Sequence, residues 1–426
     1  MNTNTKAPEL LMPAGSLEKL QYAFAYGADA VYAGVPFFSL RARENEFRLP
    51  QLKEGIEHAH SLGKKVYLTA NIFGRNHKIK SFLEQLDSWV ELNPDAMIMS
   101  DPGLLHLVRE KYPDLPIHLS VQANCMNWST VKFWHSLGVE RVILSRELRL
   151  TEIEEIKNRV PEMELEAFVH GSICIAHSGR CLLSHYMSYR DANQGVCDNS
   201  CRYKYKTFYE KPPEETGRFF LQDERDPDSL YQIDEDEHGS YIMNAKDLKL
   251  IDFLKPLQDA GVCSFKVEGR TKSVYYLSMV TRAYRRAIDD MVAGKEFDPQ
   301  LHDELNKVAN RGYHRGFVAN QTDRSMQNYT DEKRNFSQKF AGMVRADNEF
   351  LAKGLVPIEV RNKLQRGQRI EILSPLQNET KIHTIGDIYN LKGEAVDTAH
   401  GGTGLFGFRL PETPSPYSIV SQLDWQ

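Results

Sequence analysis

Eight short apolar runs, each separated from the next by helical sequence, constrain this chain more than any other feature. They are ELLMP (9–13), ADAVYAGV (28–35), KKVYLTANIFG (64–74), DAMIMSD (95–101), PIHLSVQAN (116–124), VERVILSREL (139–148), MELEAFVHG (163–171) and SFKVEGR (264–270). Between them lie stretches such as SLEKLQYAFAYG and KIKSFLEQLDSWVELN, with apolar residues at helical spacing. Near-continuous apolar runs are strands buried on both faces, and parallel strands joined by helical crossovers are buried in that way. Eight such units favour a closed, TIM-like (β/α)8 barrel over an open doubly wound sheet. The long helix TKSVYYLSMVTRAYRRAIDDMVAG follows the eighth run.

The carboxyl ends of these runs carry Asn71, Asp101, Gln122, Asn124, Arg146, Glu166, His170, Glu268 and Arg270. In such barrels the loops after the strands build the catalytic face, so Arg146, Glu166, His170, Glu268 and Arg270 are candidate catalytic residues. Glu166 and His170 are four apart. In a strand that spacing directs both to one side, as a carboxylate–imidazole pair for proton transfer or substrate orientation. Glu268 and Arg270 share a parity too, where an ion pair explains them equally well. Strand-end capping is the plainer explanation for part of the set.

Past residue 335 the pattern changes to short alternating strands with Gly and Asn turns and no long helix. The expected organisation is a barrel over 1–334, interrupted at about 172–244 after strand seven, and a small all-β, barrel-like domain over 335–426. Gly402-Thr-Gly404-Leu-Phe-Gly407 matches the dinucleotide fingerprint formally, but FRLPETPSP follows it instead of a helix, so it binds no dinucleotide.

The interruption holds the sharpest chemical signal. Cys174, Cys181, Cys197 and Cys201 fall within 28 residues as C-x6-C-x15-C-x3-C. MNTNTKAPELLMPAG lacks the basic-then-apolar layout of an export signal, which points to the cytoplasm, where clustered cysteines are metal ligands more often than disulfides. Four thiolates suit a [4Fe-4S] cluster or a Zn(Cys)4 site. Zinc ribbons use two close pairs and only Cys197 and Cys201 make one, so the spacing leans toward iron–sulfur, with zinc and free or redox-paired thiols as alternatives. Cys125 and Cys263 read as core residues or contributors to the barrel mouth.

Neither HExxH nor GxSxG occurs, which removes the usual zinc-protease and serine-hydrolase signatures. No apolar run reaches the ~18 residues of a membrane span. The net charge of −5 argues against a uniformly basic nucleic-acid binder. Its distribution does not, because Glu210–Ser240 holds eleven acidic and three basic residues, a local −8. That stretch, with Pro212, Pro213 and Pro227, reads as a solvated loop. Candidate RNA contacts are Arg282, Arg285 and Arg286, and Arg311, Tyr313, His314 and Arg315 in NRGYHRG.

EAFVHGSIC (166–174), SGRCLLS (178–184) and RDANQGVCDNSCR (190–202), with PELLMPAG, GADAVYAG, LSVQAN, YIMNAKDL and KVEGRTKS, resemble the signature of the collagenase-like peptidase family, the U32 type, over essentially the whole chain. The similarity is greatest to a tRNA-hydroxylating branch. That resemblance implies a prephenate-dependent enzyme forming 5-hydroxyuridine at the wobble position of the tRNA anticodon loop. It implies a [4Fe-4S] cluster on Cys174, Cys181, Cys197 and Cys201, with Cys263 as the outside choice for the fourth ligand. A small anionic metabolite would need an arginine, Arg146 or Arg270, and the reacting base would be extruded into the mouth. The alternatives are a metal-dependent collagenase-like peptidase and a non-catalytic iron–sulfur RNA-binding factor.

Overall fold

The computed structural model describes residues 7–40, 47–173, 177, 219–223, 226–236, 239–241, 245–319, 337–375 and 380–423. The chain divides into two compact units that do not follow one cut. The first comprises Met1–Leu17, Ala30–Thr271 and Asn310–Arg334; the second comprises Glu18–Asp29, Lys272–Ala309 and Asn335–Gln426.

In the first unit, β1 (Glu9–Ala14), β2 (Ala30–Gly34), β3 (Lys65–Ala70), β4 (Ala96–Met99), β5 (Ile117–Leu119), β6 (Arg141–Ile143) and β7 (Glu164–Gly171) pair in parallel in chain order. Then come β8 (Phe219–Asp223), β9 (Asp226–Asp236), β10 (Gly239–Tyr241) and β11 (Asp247–Lys249). The eighth barrel strand, β12 (Val262–Val267), pairs in parallel with both β7 and β1 and closes the ring. The barrel read from the eight runs is the one that forms. Leu11, Ala30, Tyr32, Tyr67, Ala96, Ile98 and Ile143, from five different strands, pack together with Phe168 of β7, which they can do only inside the ring. Each fully buried aliphatic side chain contributes about 1.5–3 kcal/mol.

In chain order the helices begin with α1 (Leu17–Ala25), nearly all of it in the second unit. Helices α2 (Leu49–Ser61), α3 (Asn76–Val90), α4 (Pro102–Lys111), α5 (Trp128–Ser136), α6 (Leu150–Arg159) and α7 (Leu254–Asp259) alternate with the barrel strands. Asp101 illustrates the local logic. Its carboxylate accepts from the Gly103 and Leu104 amides at 2.8 and 3.0 Å, with Pro102 starting α4. Such a cap stabilises a helix by about 1 kcal/mol, so Asp101 is a cap in the structure.

The acidic stretch read as a loop contains a three-stranded antiparallel sheet, β10-β9-β8. Its Phe219-Phe220-Leu221 and Leu230-Tyr231 segments are strong strand formers, and their preference outweighs the surrounding charge. Strand β11 runs antiparallel to the end of β7, with Lys249 opposite His170, and parallel to β13 (Tyr313–His314).

The second unit contains α8 (Val274–Val292), α9 (Gln300–Asn306), α10 (Asn348–Ala352) and a set of antiparallel strands. These are β14 (Lys339–Val344), β15 (Val356–Val360), β16 (Leu364–Gln365), β17 (Arg369–Leu373), β18 (Lys381–Thr384), β19 (Ile388–Tyr389), β20 (Ala395–Val396), β21 (Thr398–Ala399), β22 (Gly404–Phe408) and β23 (Ile419–Gln422). Eight form one sheet in the order β18-β17-β23-β14-β15-β22-β19-β20, over a core of Ile358, Ile370, Ile388, Phe408 and Val420. Gly404–Gly407 of the formal fingerprint lie in β22, a strand. Tyr26 donates to the Leu373 carbonyl at 2.8 Å and the Tyr417 carbonyl at 3.1 Å, and Tyr22 meets the Tyr417 ring edge-on. Among the described residues no helix is long and apolar enough to cross a membrane.

Candidate functional site at the carboxyl ends of the barrel strands

The barrel interior is charged at its amino end. Arg141, opening β6, donates to Glu9 at 2.7 Å, Glu164 at 2.8 Å and Glu166 at 3.2 Å. Glu166, 0% exposed, also accepts from Lys266 Nζ at 2.7 Å and Ser264 Oγ at 3.1 Å. Tyr67 donates to Glu9 at 2.6 Å. Burial disfavours the Arg141 cation, but the Glu9 and Glu166 carboxylates more than offset it and its pKa rises. Burial lowers the Lys266 pKa despite Glu166 beside it. Every charge here has an opposite partner, the condition for tolerating it out of water.

At the other end a belt of buried polar groups joins successive strands. Ser100 donates to Gln122 at 3.2 Å, Asn71 to Ser120 at 3.3 Å and Ser145 to Asn124 at 3.3 Å. Arg146 donates to the Ser172 carbonyl at 3.2 Å, and the Ser172 amide donates to Glu268 at 3.2 Å. Arg270 is buried against Gly34, where a Cβ would lie 2.5 Å from its Nη1; only glycine leaves that space. Gly171, at φ +107°, lies so close to Glu268 that a Cβ would stand 2.5 Å from the Glu268 carbonyl oxygen. That approach fixes where the chain leaves β7, three residues before Cys174.

Arg146 is the most accessible cation of this belt. Its guanidinium stacks on Phe168 at 4.2 Å, while Nε is buried with no hydrogen-bond partner among the described residues. It also borders a small, largely apolar cleft of about 30 Å³ with Phe168, Ile173, Leu250, Arg315 and Phe317. A guanidinium held flat with a donor unused suits a planar carboxylate.

His170, 1% exposed, lies 5.6 Å from the Tyr313 ring, and Lys249 Nζ sits 4.4 Å over the other partner of that stack, Tyr313. The expected Glu166–His170 pair does not form. The four-residue interval along β7 separates them by about 13 Å, and Glu166 lies near the strand's amino end with Arg141 and Lys266. Arg146, His170, Glu268 and Arg270 do gather where the strands end. Three serines escaped the sequence reading, although the signal repeats: Ser100, Ser120 and Ser145 each follow an apolar run directly.

Four of the five suggested RNA-contacting arginines form ion pairs within the chain, and burial lowers the pKa of the fifth, Arg282. Arg311 binds Asp247 at 3.2 Å and Arg315 binds Asp252. Arg285 pairs with Asp29 and Asp289, and Arg286 with Asp298. His314 is buried, and burial holds its pKa down to about 4. Cys174, Cys181, Cys197 and Cys201 lie outside the described residues. Among the described residues no group of three His, Cys, Asp or Glu is placed to hold a metal. Cys263 opens β12 at the barrel's amino end and donates to the Leu165 carbonyl at 3.4 Å; burial pushes its thiol up to about 11 and that of Cys125 up to about 12. Both are protonated thiols at neutral pH.

Two family profiles match the chain in succession. The profile described as peptidase family U32 matches residues 15–328, and that described as the peptidase family U32 C-terminal domain matches residues 337–420. A protein of Escherichia coli named tRNA hydroxylation protein P is 47% identical over 424 residues, 92% of this chain and 92% of its own length. A protein of the same name from Haemophilus influenzae is 45% identical over 446 residues, 97% of this chain and 95% of its own. A protein of Porphyromonas gingivalis named collagenase is 31% identical over 327 residues, 74% of each chain.

Proposed function

We propose, from the premise that this chain belongs to peptidase family U32, that it is a tRNA-hydroxylating enzyme. The observation that carries this reading is near-full-length similarity, at 45–47% identity, to proteins named for tRNA hydroxylation. The finer reading is hydroxylation at C5 of the wobble uridine, with prephenate as co-substrate, a [4Fe-4S] cluster as cofactor and the anticodon loop as the partner surface.

The chain's own residues support a division of labour. The belt of Asn71, Ser100, Gln122, Asn124 and Ser145 offers neutral donors and acceptors to the edge of an extruded pyrimidine, whose target carbon is inaccessible while stacked. Arg146 supplies a carboxylate of the dianionic metabolite with a flat guanidinium, and Arg270 is the second cation at the rim. Glu268 holds the Ser172 amide and so fixes the departure of the cysteine segment. His170, packed on Tyr313, stands where a proton would be moved.

The donor set fits a cluster: four thiols begin three residues past a fixed glycine, while the other two are protonated and hydrogen-bonded or buried elsewhere. Cys174, Cys181, Cys197 and Cys201 would hold it, and one-electron transfer is the chemistry such a cluster supplies. In a strain lacking its own activity, expression of this chain restores 5-hydroxyuridine-derived nucleosides in digested tRNA, read by mass spectrometry; their continued absence sinks the reading. Anaerobically purified protein contains about four iron and four sulfide per chain, and Cys263→Ser keeps them.

A second reading, a metal-dependent peptidase, is favoured by the relative named collagenase. Gelatin cleavage abolished by chelation, with tRNA unmodified, would establish it instead.

A further inference from the structure

The loop after β2 contains two adjacent phenylalanines with opposite fates. Phe38 is 3% exposed and packs edge-on against Phe82 and Trp89 at 5.4 and 5.5 Å. Phe37 is 72% exposed, the most exposed large apolar residue described. Its φ is +64°, a region that costs a β-carbon-bearing residue about 1–2 kcal/mol. The Phe38 amide donates to the Pro36 carbonyl at 2.8 Å, which makes Phe37 the centre of a γ-turn of the strained, positive-φ kind.

The rest of the loop enforces that conformation. The Val35 amide donates to Thr69 at 3.1 Å, the Ile72 amide to the Phe38 carbonyl at 3.3 Å and the Leu40 amide to Asn71 at 3.1 Å. Ser39 is buried against Gly34, the same glycine that Arg270 covers. Strain over-determined by its surroundings, with an apolar ring directed outward, marks functional sites more often than structural ones. Here it stands on the carboxyl-end side of the barrel, three residues from the glycine beneath Arg270.

We propose that Phe37 is the platform on which a nucleobase of the RNA substrate stacks at the rim of the barrel mouth, flanking the base that enters it. The inference rests on the tRNA reading above and names a contact that reading lacks, because Arg285, Arg286, Arg311 and Arg315, first suspected of meeting RNA, are paired within the chain. A bare phenyl ring has no polar group to read sequence. It accepts the face of any base, the stacking by which single-stranded loops are held.

The test uses the purified full chain and an anticodon stem-loop RNA with uridine at the wobble position, with binding followed by fluorescence anisotropy. Phe37→Ala weakens binding about 5- to 150-fold, the range for losing one base–aromatic stack. Phe37→Trp stays within about threefold of wild type and its added indole emission is quenched on binding. Phe37→Gly weakens binding like alanine yet does not lower the melting temperature, since glycine adopts φ +64° without strain; a role in folding alone would move both together. Wild-type affinity and turnover in Phe37→Ala overturn the inference. So does a variant effect confined to self-association, which would mean that the ring meets protein. A wild-type chain that neither binds nor modifies this RNA overturns the functional reading, and the stacking contact falls with it.

Discussion

Lys266 Nζ lies 2.7 Å from Glu166 Oε1, with both side chains buried inside the barrel and Arg141 completing the set at 3.2 Å. The three come from adjacent barrel strands, β6, β7 and β12, so their charges fix the register in which the ring closes around them.

Glu166→Ala leaves Lys266 buried without its carboxylate, while Arg141 keeps Glu9 and Glu164, and we expect a loss of about 3–5 kcal/mol in urea unfolding. Glu166→Leu combined with Lys266→Met loses less than either change alone. If Glu166→Ala unfolds at the wild-type midpoint but has no turnover, Glu166 is a reacting group and the structural role assigned to it is wrong.

Gly171→Ala forces a side chain into φ +107° and onto the Glu268 carbonyl. A loss of at least ~2 kcal/mol is expected, with lower iron content because the cysteine segment departs from there. Gly34→Ala meets only the Ser39 and Arg270 side chains. Displacing those buried side chains should cost ~1–3 kcal/mol in unfolding while raising the apparent KM for RNA or metabolite.

Acid sensitivity follows from His314. Burial holds its imidazole down to about 4, against ~6.5 in the unfolded chain. Above pH 6.5 both states are neutral. Below it the unfolded chain binds a proton that the folded chain refuses, so stability falls as pH drops toward 4 and the loss is then complete. The cost is at most about 3 kcal/mol. Burial lowers the His118 pKa as well and acts in the same direction. His314→Gln should shrink the difference between melting temperatures at pH 7 and pH 5; an unchanged difference excludes His314 as its source.

Arg146→Lys keeps the charge but loses the flat stack on Phe168 and the fork geometry. The expected result is a ~10–100-fold higher KM for the anionic co-substrate, equivalent to ~1.4–2.8 kcal/mol, with little change in melting temperature. An unaltered KM would move the anion site to Arg270.

The barrel was legible because burial on both faces leaves its mark in every strand, from AVYAG to AMIM. The gathering of Arg146, His170, Glu268 and Arg270 was legible from their place after those runs. Glu166 was misplaced because parity states which side of a strand a residue faces and not how far along it lies. MELEAFVHG begins its strand at Glu164, so Glu166 belongs to the closed end. The partners of Arg311 and Arg315 were hidden by distance, since Asp247 and Asp252 lie more than sixty residues earlier. Phe37 reads as one more apolar residue beside Phe38, and only its φ and exposure separate the two.

The bonds from Tyr26 to Leu373 and Tyr417 span 347 and 391 positions. A ribosome releases residue 26 early and residue 417 almost last. The two bonds therefore form late, after Arg285 and Arg345 have become available to Asp29 and to Glu18 of α1. A premature stop before Leu373 would leave the Tyr26 hydroxyl without both acceptors, so the damage would be felt hundreds of residues from the lesion.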